Sequence, residues 1–187
     1  MTPNEIKEFI KCKNNCTYFI ETYCQIQHPI QGLVPFQLYN FQKDLLNAFQ
    51  QHRFNITNKS RQVGLSTLSA SYSLWLALFH KKKTIIIISI KDEDSMEFLK
   101  KIKTAYDGLP EFLKDDLVLN NQHKLEFSTG SVINSVASGS SAARGRTPSL
   151  LIIDECVAGD TLIKVKNKIT GEELSLSIED FYRMNHG

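Results

Sequence analysis

The sequence contains no long hydrophobic run, no signal-peptide start and no strong excess of charge of one sign. No uninterrupted apolar stretch approaches the roughly 18 residues that a membrane-spanning helix needs. The segment Met1–Glu5 has neither the basic start nor the apolar core of a secretory signal. The formal net charge is only +2, which does not by itself indicate a nucleic-acid partner. Repeats and low-complexity tracts are absent too. Because the sequence has neither a membrane-spanning run nor a secretory signal, we expect a soluble cytosolic protein with reduced cysteines.

The chain has 187 residues, of which 42% are hydrophobic and 22% charged. These values are ordinary for a globular protein and allow one full core, or one domain plus a fragment. Among its four cysteines, Cys12, Cys16 and Cys24 precede His28 in a series that could hold zinc. The same spacing, with aromatic residues between, also fits helix packing. The fourth cysteine, Cys156, stands apart from this group.

Hydrophobic periodicity predicts an α/β protein. The expected helices cover residues 5–23, 41–49, 67–79 and 95–106, and the expected strands cover residues 53–57, 84–90, 124–127, 131–136 and 150–154. The small-residue stretch 138–148 is expected to be a loop. Strands and helices that alternate in this way predict a mainly parallel sheet with helices on both faces.

The segment Lys59–Thr67 lies between a predicted strand and a predicted helix. Phosphate-binding loops occur at this place, because backbone amides and the helix N-terminus face an anion there. Gly64 would allow close backbone approach, and Ser66 could supply a hydroxyl to Mg²⁺. However, Leu65 stands where such loops have lysine, and Lys59 where they have the first glycine. Taken alone, the loop is equally consistent with an ordinary helix start rich in Ser and Gly.

A buried strand further along the chain favours the phosphate-loop interpretation. Four apolar residues, Leu150–Ile153, are followed by Asp154 and Glu155. A parallel strand of this type delivers carboxylates to a nucleotide site. Asp154 would hold Mg²⁺, usually through water, and Glu155 would polarise the attacking water. The two motifs together predict a site for ATP and Mg²⁺.

Residues 1–155 resemble the N-terminal part of the ATPase domain of tailed-phage large terminase subunits, the motors that pump DNA into capsids. The segment 36–46 resembles their adenine-binding segment, the segment 60–64 resembles their phosphate loop, and Ala143-Arg144-Gly145 resembles the segment with their arginine finger. The resemblance implies ATP contacts from Phe41, Gln42, Lys59, Ser60, Arg61, Gln62, Val63, Gly64, Leu65, Ser66 and Thr67, and Mg²⁺ contacts from Ser66 and Asp154.

Two roles in this resemblance stay open. In part of the family a lysine at the start of the loop makes the phosphate contact, and Lys59 occupies that position, but Arg61 could share the role. Arg144 could neutralise the transition state of a neighbouring subunit, or it could be a loop charge facing solvent or DNA. The resemblance also implies three partners, namely double-stranded DNA, the portal and other terminase subunits. It implies a location in the cytoplasm of an infected bacterium and no membrane partner. No terminase nuclease sequence is present.

Residues 156–187 resemble the start of an intein, a small β-rich fold of the Hint type. Cys156 is followed by Val-Ala-Gly-Asp-Thr, and residues 163–166 and 174–178 alternate as short strands do. A cysteine thiolate can attack the preceding carbonyl, here that of Glu155, and convert the amide into a thioester. The alternatives are that residues 156–187 are a random tail or native terminase sequence, and neither of these requires this pattern.

The Thr-x-x-His block and the terminal His-Asn of inteins are missing after Cys156, since His186 is followed by Gly187. We therefore expect the N-terminal half of a split intein, whose partner chain supplies the other intein half and the rest of the terminase. One alternative is a contiguous intein of which the sequence holds only the start. Another is a stand-alone nucleotide- or DNA-binding module without splicing.

Overall fold

The structure is a computed structural model that describes residues 1–28, 30–58, 62–138, 147–154, 162–166, 173–177, 179–180 and 183–184. The chain divides into two compact units, Met1–Asp154 and Glu155–Gly187. The predicted boundary at residue 155 falls outside the described residues. Among the described helices, none combines the length and apolar character that crossing a membrane requires.

The first unit begins with two helices, α1 (Pro3–Asn14) and α2 (Cys16–Tyr23), where the sequence predicted one. Asn15 separates them because its extended backbone ends α1 while its side chain caps α2. The Asn15 Oδ1 atom accepts a hydrogen bond of 2.9 Å from the amide of Tyr18. Asparagine is a preferred N-cap residue for this reason.

The cysteine series lies in the core around these helices. Cys12, Cys16 and Cys24 are free and buried, and burial raises the pKa values of the Cys12 and Cys24 thiols to about 12. The ring of His28 instead accepts hydrogen bonds of 3.2 Å from the amides of Ile30 and Gln31. Within the described ranges, no three His, Cys, Asp or Glu residues converge as a metal site would require.

A β-hairpin and three further helices follow in the first unit. The hairpin of β1 (Gln25–His28) and β2 (Gly32–Pro35) was not predicted from the sequence, and it precedes α3 (Asn40–Gln51). The next two helices are α4 (Leu65–Phe79) and α5 (Asp92–Asp107), so the predictions of α3, α4 and α5 are confirmed with small shifts of their ends.

Helix α4 is the centre of the hydrophobic core and is buried on almost every side. Its residue Trp75 donates a hydrogen bond of 2.9 Å from Nε1 to the carbonyl oxygen of Cys12. This bond links α4 to α1, two elements far apart in sequence, and satisfies a carbonyl near the end of α1.

A five-stranded sheet lies beside these helices. Its strands are β3 (Thr84–Ser89), β4 (Leu117–Asn120), β5 (Lys124–Phe127), β6 (Val132–Ala137) and β7 (Leu150–Ile153), in the order β4-β5-β6-β3-β7. A short 3₁₀ helix, Glu111–Leu113, precedes β4. The sequence predicted each of these strands except β4.

The prediction of a mainly parallel sheet needs correction, because the sheet is mixed. β3 pairs in parallel with β6 and β7, whereas β5 is antiparallel to both β4 and β6. The turn between β5 and β6 is too short for a parallel crossover, and Gly130 takes a left-handed φ of 82° within it. Such a turn can join only antiparallel neighbours.

The expected cover of helices on both faces is also not found in the part of the chain described. α4 and α5 contact each other, and both contact β3 and β6, so they cover the same face. Ile85, Ile87 and Ile133 are buried in the core on that face. The opposite face is more open at β7, where Leu151 is 43% exposed.

The predicted strand at residues 53–57 is wrong. Residues 52–58 are irregular, and Phe54 and Ile56 are exposed there. A strand requires a neighbouring backbone ladder, and no described strand pairs with this segment.

Within the second unit, the structure describes one antiparallel pair. Strand β8 (Leu162–Lys166) pairs with β9 (Glu173–Ser177), in a register that matches Leu162 with Ser177. The prediction of two short strands here is confirmed.

The side chain of Asp115 fixes the β5–β6 turn to the segment before β4. Its carboxylate accepts hydrogen bonds from the Ser128 hydroxyl (2.6 Å), the Thr129 amide (3.0 Å) and the Thr129 hydroxyl (2.7 Å). Partial burial would raise the pKa of Asp115, but these hydrogen bonds outweigh it and lower the pKa below its ordinary value.

We predict that Asp115→Asn lowers the free energy of unfolding by about 1.5–3 kcal/mol at neutral pH, the range for hydrogen bonds to a charged group. Because the folded-state pKa is depressed, the carboxylate's contribution is present above the unfolded-state pKa and is lost as pH falls through the folded-state pKa. Urea unfolding at several pH values measures this contribution of the Asp115 carboxylate. Asp116→Asn is the control, since it removes the same charge from a side chain without a hydrogen bond in the described structure. Equal unfolding free energies for the two variants at neutral pH would contradict the prediction.

Candidate functional site

The phosphate-loop candidate ends at the start of helix α4. Gly64 is the N-cap of α4 and has a left-handed φ of 73°, and Gln62 has a φ of 61°. The Gly64 carbonyl accepts the first helical hydrogen bond, 2.9 Å from the amide of Leu68. The amides of the first helical turn have no partner within a helix. This end of α4 therefore has the backbone form that favours an anion.

The side chains of this helical turn divide between core and surface. Leu65, which stands in the usual lysine position, packs against the hydrophobic core. Val63, Ser66 and Thr67 are half-buried, and Gln62 is exposed. Because the Leu65 side chain carries no charge, any cationic contact to a phosphate must come from elsewhere in the loop.

Ser66 and Asp154 meet across the two motifs that the sequence analysis paired. The Ser66 hydroxyl donates a hydrogen bond of 2.7 Å to Oδ2 of Asp154, although the two residues are 88 positions apart. Both side chains are half-buried. The structure thus brings the two expected Mg²⁺-binding residues into direct contact.

Strand β7 holds Asp154 in this position. β7 pairs in parallel with β3, and the ladder continues past its last residue, since the Asp154 amide donates to the Ile88 carbonyl at 2.9 Å. The carboxylate therefore follows directly from the carboxyl end of a parallel strand. Ligand sites of α/β proteins lie at this edge.

The donor atoms present suit Mg²⁺. Mg²⁺ prefers oxygen ligands and is commonly held by one or two carboxylates together with substrate phosphates and water. The Ser66 hydroxyl and the Asp154 carboxylate supply two oxygens at hydrogen-bond distance from each other. The chemistry of this pair fits a metal that also binds a phosphate chain.

Gln42 contacts the same loop from helix α3. It is 1% exposed, and its Nε2 atom donates a hydrogen bond of 3.1 Å to the Val63 carbonyl. Its Oε1 atom accepts one of 3.0 Å from the Tyr39 amide. The sequence placed Gln42 near a nucleotide but did not indicate this direct link to the loop.

The structure also places Tyr39, which the sequence analysis did not single out, beside Phe41. The rings of Tyr39 and Phe41 stack with centroids 5.8 Å apart and planes 9° apart. They are 68% and 48% exposed. Their i, i+2 spacing at the start of α3 was the available signal. Exposed stacked rings offer a flat surface to another ring.

Several predicted site residues lie outside the described residues. They are Lys59, Ser60 and Arg61 of the loop, Arg144, and the junction residues Glu155 and Cys156. Their roles stay predictions.

An open cleft of about 400 Å³ lies elsewhere, along β5 and β6. It is lined by residues 121–124 and 134–136, and none of these is a predicted site residue. Its lining residues include amide and hydroxyl side chains, with His123 and Lys124 as the basic members. The convergent geometry described above makes the α4–β7 edge the better candidate.

No protein-family model matches the chain. Among solved structures, the fold is similar to the HK97 bacteriophage large terminase, with a TM-score of 0.61 and 19% sequence identity over 75% of this chain. The match covers 30% of that terminase, so this chain spans less than a third of its length. The first unit therefore has a terminase-like α/β fold.

Proposed function

We propose that residues 1–155 are the N-terminal part of the ATP-hydrolysing domain of a phage DNA-packaging terminase large subunit. The observation that carries this proposal is the 2.7 Å hydrogen bond between Ser66 and Asp154. It joins a glycine-containing helix start to the end of a parallel strand. The terminase-like fold and the sequence motifs support the same assignment.

In this proposal the triphosphate lies against the first turn of α4, where unpaired amides and the helix dipole favour negative charge. Ser66 and Asp154 would hold Mg²⁺, which would neutralise charge on the phosphate oxygens. The Ser66 oxygen keeps lone pairs that would be available to Mg²⁺ while its hydroxyl donates to Asp154. Phe41 and Tyr39 provide the surface for the adenine ring.

The remaining roles rest on the terminase resemblance. Glu155 follows Asp154 directly and orients and polarises the attacking water. Lys59 replaces the cation that Leu65 cannot supply, with Arg61 as the alternative. Arg144 acts on the transition state bound by a neighbouring subunit. Double-stranded DNA, portal and other terminase subunits are the partners that this function requires, in the cytoplasm of the infected cell.

We further propose that residues 156–187 are the N-terminal half of a split intein. Cys156 Sγ attacks the Glu155 carbonyl carbon, the peptide C–N bond breaks, and the freed amine of Cys156 takes up the proton. The product is a thioester isomer of the starting chain. The β8–β9 pair suits the short strands of such a fragment, and in this proposal a partner chain supplies the Thr-x-x-His block.

In this proposal, the rest of the ATPase domain would cover part of the surface of the first unit. Leu151 of β7 and the loop residues Phe54 and Ile56, which lie far from it in sequence, are exposed apolar side chains. The competing stand-alone module predicts instead that the 187-residue chain hydrolyses ATP efficiently by itself.

Our prediction for the metal site is that Ser66→Ala raises the Mg²⁺ concentration needed for half-maximal MgATP binding or hydrolysis by about 10-fold or more, because a metal-site oxygen is lost. Titration of Mg²⁺ at fixed ATP measures this change. Ser149→Ala is the matched control, since Ser149 precedes the opposite end of β7. An unchanged Mg²⁺ requirement in Ser66→Ala would remove the Ser66–Asp154 pair from metal binding.

For splicing, we predict that Cys156→Ala abolishes ligation to the partner chain and leaves association of the two chains intact, because alanine has no nucleophile. The two chains are mixed and the products weighed by mass spectrometry, with association followed by co-elution. A native ligated product from Cys156→Ala would refute the intein assignment.

In the ligated product, Glu155→Gln should keep ATP binding and lose hydrolysis, since an amide cannot accept a proton from water. Lys59→Ala should weaken ATP binding more than Arg61→Ala does. Steady-state ATPase assays and nucleotide binding on the three ligated variants measure both effects. Full hydrolysis by Glu155→Gln would exclude the acidic strand from the mechanism, and unchanged binding by Lys59→Ala would assign the phosphate contact to Arg61.

A further inference from the structure

The primary amide of Gln42 is buried and already has a partner at each end. Oε1 accepts from the Tyr39 amide at 3.0 Å, and Nε2 donates to the Val63 carbonyl at 3.1 Å. The partners fix the orientation of the amide, because an N–H group requires the oxygen and a carbonyl requires the nitrogen. Only 1% of the residue is exposed.

The position of Gln42 in α3 explains the first of these bonds. Gln42 is the third residue of α3, and a glutamine there commonly reaches back to the backbone amide of the N-cap residue. The start of the helix therefore holds Oε1 in place. The same bond directs Nε2 away from α3, toward the phosphate-loop candidate.

The second bond fixes the last residues before α4. Val63 precedes Gly64, whose left-handed φ of 73° turns the chain into the helix. A Cβ atom on Gly64 would lie 3.0 Å from the Gln42 Nε2 atom, a distance at which the neighbour must move. Gln42 thus packs directly against the residue that sets the direction of the loop.

We infer that Gln42 is a positioning residue that holds the phosphate loop in its binding form, and that it does not read the nucleotide base. This inference rests on the proposed function, since it assumes that the loop binds a triphosphate. Recognition of the base is left to the exposed Tyr39–Phe41 pair. A loop that is held before the ligand arrives loses less conformational freedom on binding.

Binding of two ligands separates positioning from base recognition. ATP and inorganic tripolyphosphate, each with Mg²⁺, are titrated by calorimetry into the full chain at millimolar concentrations. Gln42→Ala should weaken both by a similar factor of about 5- to 10-fold, the size of one ordinary hydrogen bond. Phe41→Ala should weaken the binding of ATP and leave the binding of tripolyphosphate unchanged. Loss of ATP affinity with unchanged tripolyphosphate affinity in Gln42→Ala would overturn the inference, and so would an unchanged affinity for both.

Two further variants distinguish a local effect from a general loss of stability. At a pH where its carboxyl is ionised, Gln42→Glu keeps the acceptor for the Tyr39 amide but cannot donate to Val63, so it should weaken both ligands at least as much as Gln42→Ala does. Gln50→Ala is the matched control, because Gln50 makes a side-chain hydrogen bond of 3.0 Å to the Leu46 carbonyl within the same helix. Its affinities should equal those of the unaltered chain. Wild-type-like binding by Gln42→Glu would overturn the inference.

Amide hydrogen exchange without any ligand tests the loop directly. The Leu68 amide, which donates to Gly64, should exchange faster in both Gln42 variants than in Gln50→Ala. Unchanged exchange of Leu68 would contradict the positioning role. If the unaltered chain bound neither ligand while Leu68 exchange still responded to Gln42, the proposed function would fail and the structural role of Gln42 would stand.

Discussion

The hydrogen bond between the Ser66 hydroxyl and the Asp154 carboxylate joins two segments that only the fold brings together. One is the first turn of α4, the most buried helix of the core, and the other is the end of β7. Because β7 is aligned by its parallel pairing with β3, the position of Asp154 depends on the sheet. The position of Ser66 depends on the turn at Gly64 and on the packing of α4. A site of two oxygens therefore depends on both layers of the first unit.

How much of this arrangement the sequence predicts depends on whether a local signal exists. Strands β3 and β7 consist mainly of continuous apolar runs, and α4 is strongly apolar in its second half, so the sequence pattern predicts all three elements. The mixed sheet cannot be predicted in this way, because the turn at Gly130 decides whether β5 pairs in parallel or antiparallel with β6. Residues 53–57 read as a strand by pattern, but a strand also needs a neighbouring ladder, which pattern cannot supply. The split at Asn15 is a capping effect that the apolar spacing of 5–23 obscures.

The same limit applies to the site. Ser66 and Asp154 were predicted because their spacing from Gly64 and from the apolar run of β7 has a direct chemical meaning. The contact from Gln42 to Val63 was not, since a hydrogen bond between a helix and a distant loop leaves no periodic trace in the sequence. The proposed functions of the two units would meet at Glu155, as acyl donor in splicing and as catalytic carboxylate afterwards. That coincidence would keep the motor inactive until ligation is complete.

Hydrogen exchange of the 187-residue chain with and without saturating MgATP tests the central claim, that nucleotide binds at the edge formed by α4 and β7. The account predicts slower exchange in residues 62–68 and 150–154, and a loss of that protection when Mg²⁺ is removed by chelation. Protection confined to residues 121–124 and 134–136, the separate cleft along β5 and β6, would contradict it. So would the absence of any protection at nucleotide concentrations that saturate binding.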